Sequence, residues 1–396
     1  MRRIGFLGVL CALIALPGGA SAPLAGDQPA FTAPGLTAPA PPPEIADVPV
    51  VLLVDLGSGQ TLFARQPDLH FVPASMTKVM TLFVAFNWLE QGNIRPEDVL
   101  TVKEQTAREW AGKGTSLYLK AGDRISIDQL LRAIATVSAN DAAAVLSDSF
   151  DGGWSAHMGQ AAEELGMHDS HFATPSGWPD NGATYVSARD LVTLADAMIE
   201  RHPAHYRRYF GQKQMQWHDA TYYSHDPTVG VVPGADGIKT GHTDEAGYNF
   251  LGSAIRGGRR LVMVIAGAKS EDQRMQASRA LLEWGFAAWD SRPLFAKGAR
   301  VGEALVQGGD ARQVGLIAAR PISQSFAKAG APGQISLKIV YRGPLQAPLE
   351  KGAAVAELEI NAAGLPPSRV PLVTAEAVGK AGPLDRLWNG LMGLIS

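Results

Sequence analysis

The pattern of apolar and polar positions divides the chain before any chemistry is considered. VVLLVDLGSGQTLFAR, residues 50–65, is two strand-like runs around Gly57-Ser58-Gly59 and predicts a β-hairpin. Past Ser75 the stretch KVMTLFVAF is almost unbrokenly apolar, which predicts a helix made for burial. From about 126 to 290 the spacing is mostly helical, with helices expected near 126–136, 140–150, 154–165, 187–200 and 271–289. A second hairpin interrupts them, where YNFLGSAI and RLVMVIAGA flank Arg256-Gly257-Gly258-Arg259. Strands at both ends of this region, with helices between, predict an α+β fold whose first and last strands share one sheet.

Beyond about 294 the texture changes to short β-type runs, QISLKIVY, AAVAELEI and SRVPLVTAEAV, broken by glycine and proline. This predicts a small all-β domain over 294–380. The last stretch, 381–396, places Leu384, Leu387, Trp388, Leu391, Met392 and Ile395 on one face of a helix. Half-burying six such side chains in a membrane surface contributes on the order of 5 kcal/mol, so this face is read as a peripheral anchor, with packing on its own domain as the alternative.

At the other end, Arg2 and Arg3 precede an apolar run over 4–16 and the small residues Ala20-Ser21-Ala22, the pattern of an export signal over 1–22. That run is shorter than the roughly 20 residues needed to span a bilayer. Residues 23–47 are rich in proline and alanine and read as an extended leader without a core, folding being expected to start near Val50. The peptide between leader and β domain, 48–293, is the candidate chemical domain. Cys11 is the single cysteine and lies in the signal, so disulfides and thiol catalysis drop out. With 46% hydrophobic and 18% charged residues the composition is that of an ordinary globular protein, and a net charge of −3 argues against a nucleic-acid partner.

Ser75 and Lys78 are three apart, so on a helix their side chains touch. A serine hydroxyl becomes a useful nucleophile when a base takes its proton, and a neutral lysine amine serves. Bringing a lysine from about 10.4 towards 7 to 8 costs roughly 4 kcal/mol and needs burial, a second cation, or both. The spacing alone is weak, since Ser-x-x-Lys arises about once or twice by chance in a chain this long. Ser325 and Lys328 repeat it, but Ala-Gly-Ala-Pro-Gly follows and no buried helix is there to desolvate the amine. A helix cap beside a surface lysine is the plain alternative for Ser75 and Lys78.

Two further stretches bear on the choice. TVSANDAAAV, 136–145, puts Ser138 and Asn140 just before a small-residue helix, where they face a cleft or, alternatively, Asn140 or Asp141 caps the helix. GADGIKTGHT, 234–243, offers a cation at Lys239, a hydroxyl at Thr240, and at Gly241 room for close backbone approach by a ligand. His168 with His171, and His202 with His205, lack the partners of a zinc motif and read as surface histidines. No metal or cofactor is expected.

In this order, Ser75-Met76-Thr77-Lys78, Ser138-Ala139-Asn140 and Lys239-Thr240-Gly241 resemble the three motifs of the penicillin-recognising serine enzymes. With the flanks FATPSGWPDNGATYVSARDLVTLADAMI and DGIKTGHTDEAGYNFLGSA and the β-rich segment, the resemblance over about 48–396 is to the low-molecular-mass D-alanyl-D-alanine carboxypeptidases. Ala139 stands where that family commonly has glycine. The resemblance implies an antiparallel sheet flanked by helices with an all-helical subdomain, β-lactamase and transpeptidase-like, ahead of the β domain. It implies acylation of Ser75 by a stem peptide ending in D-alanyl-D-alanine or by a β-lactam, with Lys78 as base, Ser138 as proton relay and Asn140 holding Lys78. Lys239 and Thr240 would take the substrate carboxylate, and the N–H groups of Ser75 and His242 would form the oxyanion hole. The expected location is the periplasm, on the outer face of the cytoplasmic membrane. A β-lactamase would need an activating carboxylate segment that is not found, leaving an endopeptidase and a non-catalytic peptidoglycan binder as alternatives.

Overall fold

Strand β1 (Val50–Asp55) is buried at every position, as a strand covered on both faces must be. It pairs antiparallel with β2 (Gln60–Arg65), so the first expected hairpin is present. Side chains alternate between two cores: Val50, Leu52 and Val54 enter one, Val51 and Leu53 the other. These features come from a computed structural model that describes residues 38–150, 153–329, 334–362 and 365–382.

After a 3₁₀ turn at Ala74–Thr77 the chain enters α1 (Lys78–Glu90), whose residues 78–86 are all buried. An apolar surface all round makes it a central helix. Then come β3 (Val99–Thr101), α2 (Glu104–Trp110), β4 (Arg124–Ser126), α3 (Ile127–Arg132), α4 (Asn140–Asp148), α5 (Trp154–Leu165), α6 (Ala188–Arg201), α7 (Pro203–Tyr209), β5 (Gln214–Trp217) and β6 (Ala220–Tyr223). The region is therefore not all-helical, because two short antiparallel pairs, β3 with β4 and β5 with β6, sit among its helices. Strands β7 (Ala235–Thr243), β8 (Gly247–Arg256) and β9 (Arg259–Ala268) complete an antiparallel five-stranded sheet of order β2-β1-β9-β8-β7. The first and last strands are neighbours, with Val51 opposite Ile265. Helix α8 (Glu271–Ala288) packs on the face opposite α1.

Residues 38–48 depart from the expected leader. Ile45 and Val48 are buried in the core under α8, Trp284 Nε1 donates to Ala40 O at 2.7 Å, and Arg65 Nη1 donates to Val48 O at 2.9 Å. Two apolar residues one turn apart after a run of prolines are enough to dock the segment, and the proline-rich composition masks them. The expected export signal and residues 23–37 of the leader lie outside the described residues, as does nearly all of the terminal amphipathic stretch, 383–396. Among the described residues no helix is long and apolar enough to cross a membrane. His202 also departs from expectation: it is 2% exposed, its ring nitrogens lie 2.8 Å from Glu90 Oε1 and 2.9 Å from Asn87 Oδ1, and Phe83 and Phe86 meet it edge-on. It is a core histidine with both nitrogens occupied.

Leaving α8, the chain enters β10 (Trp289–Phe295), slightly earlier than the expected 294. Next are β11 (Arg300–Gln307), β12 (Gln313–Ala318), β13 (Ile322–Ala327), β14 (Ile335–Val340), β15 (Leu345–Gln346), β16 (Ala354–Ala362) and β17 (Ser368–Thr374). Six of them form a sheet of order β14-β16-β17-β12-β11-β15, and β10 pairs with β13. Leu316, Leu358, Ile360, Val370 and Leu372 build its own core.

Ser325, the serine of the second Ser-x-x-Lys, lies in β13 and joins this β region to the first hairpin. Its Oγ donates to the fully buried Asp55 Oδ2 at 2.9 Å, lies 2.7 Å from Ser58 Oγ, and its N–H donates to Gln60 Oε1 at 2.6 Å. Arg259 Nε donates to the same Asp55 oxygen at 2.6 Å. Ser325→Ala leaves Asp55 and Ser58 short of a partner in a dry site and is expected to destabilise by about 1–3 kcal/mol in denaturant unfolding. The reactivity of Ser75 should be unchanged, and its loss in the folded variant would contradict the structural role.

Candidate active site

Ala74 has φ of 49°, a left-handed value that a residue with a Cβ adopts only at a cost of order 1–3 kcal/mol. It turns the chain into the 3₁₀ segment, so Ser75 sits on that tight turn and not on the α-helix proper. Lys78, the first residue of α1, is 0% exposed and its Nζ lies 2.8 Å from Ser75 Oγ. Nζ also donates to Asn140 Oδ1 at 2.7 Å and to Ser176 O at 2.7 Å. Burial, then the charge of Lys239, push Lys78 well below the usual lysine range, opposed by the carboxylate of Asp141. Neutral, the amine spends its two N–H groups on two oxygens that only accept and leaves its lone pair to the Ser75 hydroxyl.

The second motif is placed by an irregular helix end. A π-helical turn at Ala133–Val137 stops at Ser138, whose left-handed backbone, φ 71°, separates it from α4. Asn140 does not cap α4: its N–H donates to Thr115 O at 2.8 Å and its Nδ2 to Lys113 O at 3.0 Å, which fixes Oδ1 toward Lys78. Asp141 lies within the first turn of α4, where its Oδ1 accepts from the Ala142 N–H at 2.9 Å. Its buried carboxylate accepts from Ser116 Oγ at 2.6 Å and from the N–H groups of Leu117 and Leu119 at 3.1 and 3.0 Å, holding that loop beside the motif.

The third motif lies on the edge strand β7. Lys239 is 4% exposed, and burial followed by the charge of Arg274 brings it down to about 7. Gly241 has a reason besides the expected one. A Cβ there would meet Pro73 O at 2.3 Å, so the glycine lets β7 close on the turn that carries Ser75. Its backbone also lines the cleft. His242 stacks on Tyr248 with ring centroids 3.9 Å apart.

All three motifs meet at one cleft of about 350 Å³. Ser75, Ser138, Asn140, Thr240, Gly241 and His242 line it, while Lys78 and Lys239 are buried beneath. Sequence reasoning missed two contributors. Ser176 acts through its carbonyl, which no side-chain pattern announces; Thr81 Oγ1 donating to Pro175 O at 2.6 Å and the tight seat of Gly177 on Ala74 O hold it in place. Arg274, on α8, lines the cleft 3% exposed, with Nη2 donating to Glu271 Oε1 at 2.7 Å and no partner for Nε among the described residues.

Lys239 links the site to stability. Below pH 7 the native state carries this buried charge at full penalty. Between about 7 and its unfolded value near 10.4 the unfolded chain holds a proton that native Lys239 has released, so stability rises with pH across that window. Lys239→Met is therefore expected to be more stable than the parent by a few kcal/mol at pH 6, an advantage that shrinks towards pH 10. Denaturant unfolding at several pH values checks this, and a difference independent of pH contradicts it.

Residues 37–270 match the sequence profile of the D-alanyl-D-alanine carboxypeptidase family, and 289–380 match that of the penicillin-binding protein 5 C-terminal domain. D-alanyl-D-alanine carboxypeptidase DacD of Salmonella typhimurium is 34% identical over 362 residues, 88% of this chain and 90% of the relative. The crystal structure of penicillin binding protein 5 from Haemophilus influenzae superposes with a TM-score of 0.69 at 28% identity, covering 87% of this chain and 100% of that one. An ampicillin-bound penicillin-binding protein from Listeria monocytogenes is 29% identical with a TM-score of 0.55, covering 60% and 97%. With the profile spanning more than half its length and this level of identity to a curated relative, the chain belongs to the D-alanyl-D-alanine carboxypeptidase family.

Proposed function

We propose that the protein is a serine-type D-alanyl-D-alanine carboxypeptidase that removes the terminal D-alanine from peptidoglycan stem peptides through an acyl-enzyme on Ser75. The observation that carries this reading is the 2.8 Å contact between Ser75 Oγ and a fully buried Lys78 whose lone pair has no other claim. Ser75 attacks the carbonyl between the two D-alanines while Lys78 takes its proton. The tetrahedral oxyanion rests on the N–H groups of Ser75 and His242, worth about 3–4 kcal/mol per donor. The C–N bond breaks as the departing amine takes that proton back by way of Ser138, and water then attacks the ester and returns Ser75 to its hydroxyl. Asn140 holds Lys78 and, with its remaining N–H, the substrate amide.

Lys239 serves twice. It keeps Lys78 uncharged and, with Thr240 and Arg274, makes the cleft attractive to the free carboxylate of the substrate. A carboxylate in turn favours the protonated form of Lys239, whose value near 7 leaves it easily charged. The ampicillin-bound relative supports acylation of Ser75 by β-lactams, which present a comparable carbonyl and carboxylate. Export by residues 1–22, a leader over 23–37, a peptidase domain that takes in the docked segment 38–48 and runs to about 288, a β domain from Trp289 to about 380 and a peripheral hold on the outer face of the cytoplasmic membrane by 381–396 complete the proposal. The sequence patterns of those segments support it.

Release of free D-alanine from an N-acylated peptide ending in D-alanyl-D-alanine tests the activity. Cleavage confined to cross-linked peptides would favour an endopeptidase, and labelling by penicillin without any hydrolysis would favour a binder. For the anchor, a chain ending at Gly382 is expected to leave the membrane fraction with its activity on soluble peptides intact; full retention in that fraction would count against it.

A further inference from the structure

The second half of α1, the turn after it and α5 enclose a groove of about 330 Å³ that shares no lining residue with the catalytic cleft. At about 1.5 Å of rise per residue, Trp88 in this groove stands about 15 Å along α1 from Lys78. Carboxamides dominate the lining: Asn87, Gln91 and Asn93 come from the end of α1 and its turn, Gln160 from α5. No lysine or arginine lines the groove among the described residues, and Glu164 brings a single carboxylate.

These amides are already oriented. Asn93 Nδ2 donates to Gln91 Oε1 at 3.0 Å, and Gln160 Nε2 donates to Glu164 Oε1 at 2.9 Å. Asn87 Oδ1 lies 2.9 Å from Nε2 of the buried His202, which fixes that amide from the core. A carboxamide engaged through one end keeps the other for a ligand. Trp88 adds an aromatic surface. Its half-buried indole packs on the buried Trp154 with ring centroids 5.0 Å apart, and the His157 ring meets it edge-on at 5.0 Å, so its plane is set in advance. Val84 and Ala161, 3% and 5% exposed, give the groove an apolar base.

This chemistry suits a saccharide. A pyranose presents a face of C–H groups and a rim of hydroxyls that both donate and accept. Indole takes the face, and carboxamides, which donate and accept in one plane, take the rim. A phosphate would call for a cation, and a metal for a cluster of carboxylates or imidazoles, neither of which the described residues provide here. The volume is near the lower end of the roughly 300–1,000 Å³ of small-molecule sites, which suits one sugar residue of a longer chain.

We infer that this groove binds an N-acetylated hexosamine within a glycan strand of peptidoglycan. The C–H face of the sugar lies on Trp88, the acetamide N–H and C=O meet the carboxamides, and the acetamide methyl covers Val84 and Ala161. The saccharide class follows from the lining alone. The choice of a cell-wall glycan rests on the carboxypeptidase reading, in which the stem peptide hangs from such a strand. A hold this far from Ser75 keeps the enzyme on the polymer and leaves the cleft open to successive stem peptides.

The test uses the full chain with the cleft filled by acylation with benzylpenicillin. In titration calorimetry, N,N′,N″-triacetylchitotriose is expected to bind, and maltotriose, which has no acetamide, to bind about 10-fold more weakly. Trp88→Ala should weaken the acetylated trisaccharide by about 10-fold or more through lost apolar contact. Gln160→Ala, at an exposed position of α5, should weaken it by about 3- to 10-fold. Both variants should release D-alanine from a soluble peptide at the parent rate. No binding by the parent, equal binding of maltotriose, or binding that acylation of the cleft removes would overturn the site. So would parent affinity in Gln160→Ala, which decides the matter alone should Trp88→Ala not fold. A parent that binds the trisaccharide but releases no D-alanine would instead sink the carboxypeptidase reading and leave the saccharide groove standing.

Discussion

Ser75→Ala is expected to abolish covalent labelling by benzylpenicillin and to lower D-alanine release by a factor of about 10⁴ or more. The hydroxyl is the atom that forms the ester, and loss of a serine nucleophile in comparable machinery costs up to about 10⁶ in kcat. Neither Ser138 nor Thr240 replaces it, because among the described residues the hydrogen-bond partners of Lys78 Nζ are Ser75, Asn140 and Ser176. The fold should persist, since the turn is held by backbone contacts such as the Met76 N–H to Pro73 O bond at 3.2 Å and by the packing of Gly241 and Gly177 against it. A folded Ser75→Ala protein that still gains the mass of a penicilloyl group would place the nucleophile elsewhere.

Lys78→Met carries the second large effect. It keeps the length and the apolar stem but removes the base, and general-base catalysis is worth about 10²–10⁴. Acylation by benzylpenicillin should slow by that factor, while binding of the carboxylate at Thr240 and Arg274 remains. Asn140 Oδ1 and Ser176 O lose their shared donor in a dry site, at about 1–3 kcal/mol each, partly offset because no amine has to be desolvated. A parent-like acylation rate in this variant would remove Lys78 from the mechanism.

Much of the frame was legible because it depends on patterns that sequence carries directly. The Arg256-Gly257-Gly258-Arg259 turn joins β8 to β9 with Arg256 opposite Arg259, and the apolar runs on either side have room for nothing but buried strands. Helix α5 spans Trp154–Leu165, the residues its spacing marks. The eight motif residues converge on one cleft or lie just beneath it. What escaped depends on groups without a sequence signature. The Ser176 carbonyl is a backbone atom, Arg274 enters from α8 well beyond the third motif, and Asp141, legible at the start of its helix, also clamps the 116–119 loop. The tight seat of Gly241 on Pro73 O is likewise a tertiary contact that no motif announces. His202 shows that spacing says nothing about depth: its neighbours in the fold, Phe83 and Phe86, come from α1.

The central claim is that Lys78 is an uncharged amine at working pH, and the pH dependence of the acylation rate measures it most directly. Followed with benzylpenicillin by intact mass, the rate is predicted to rise with pH and reach its plateau well short of the ordinary lysine value of 10.5, because burial and Lys239 hold Lys78 below it. A rate still climbing with a midpoint near 10.5 would mean that the buried nitrogen stays protonated, and would contradict the account.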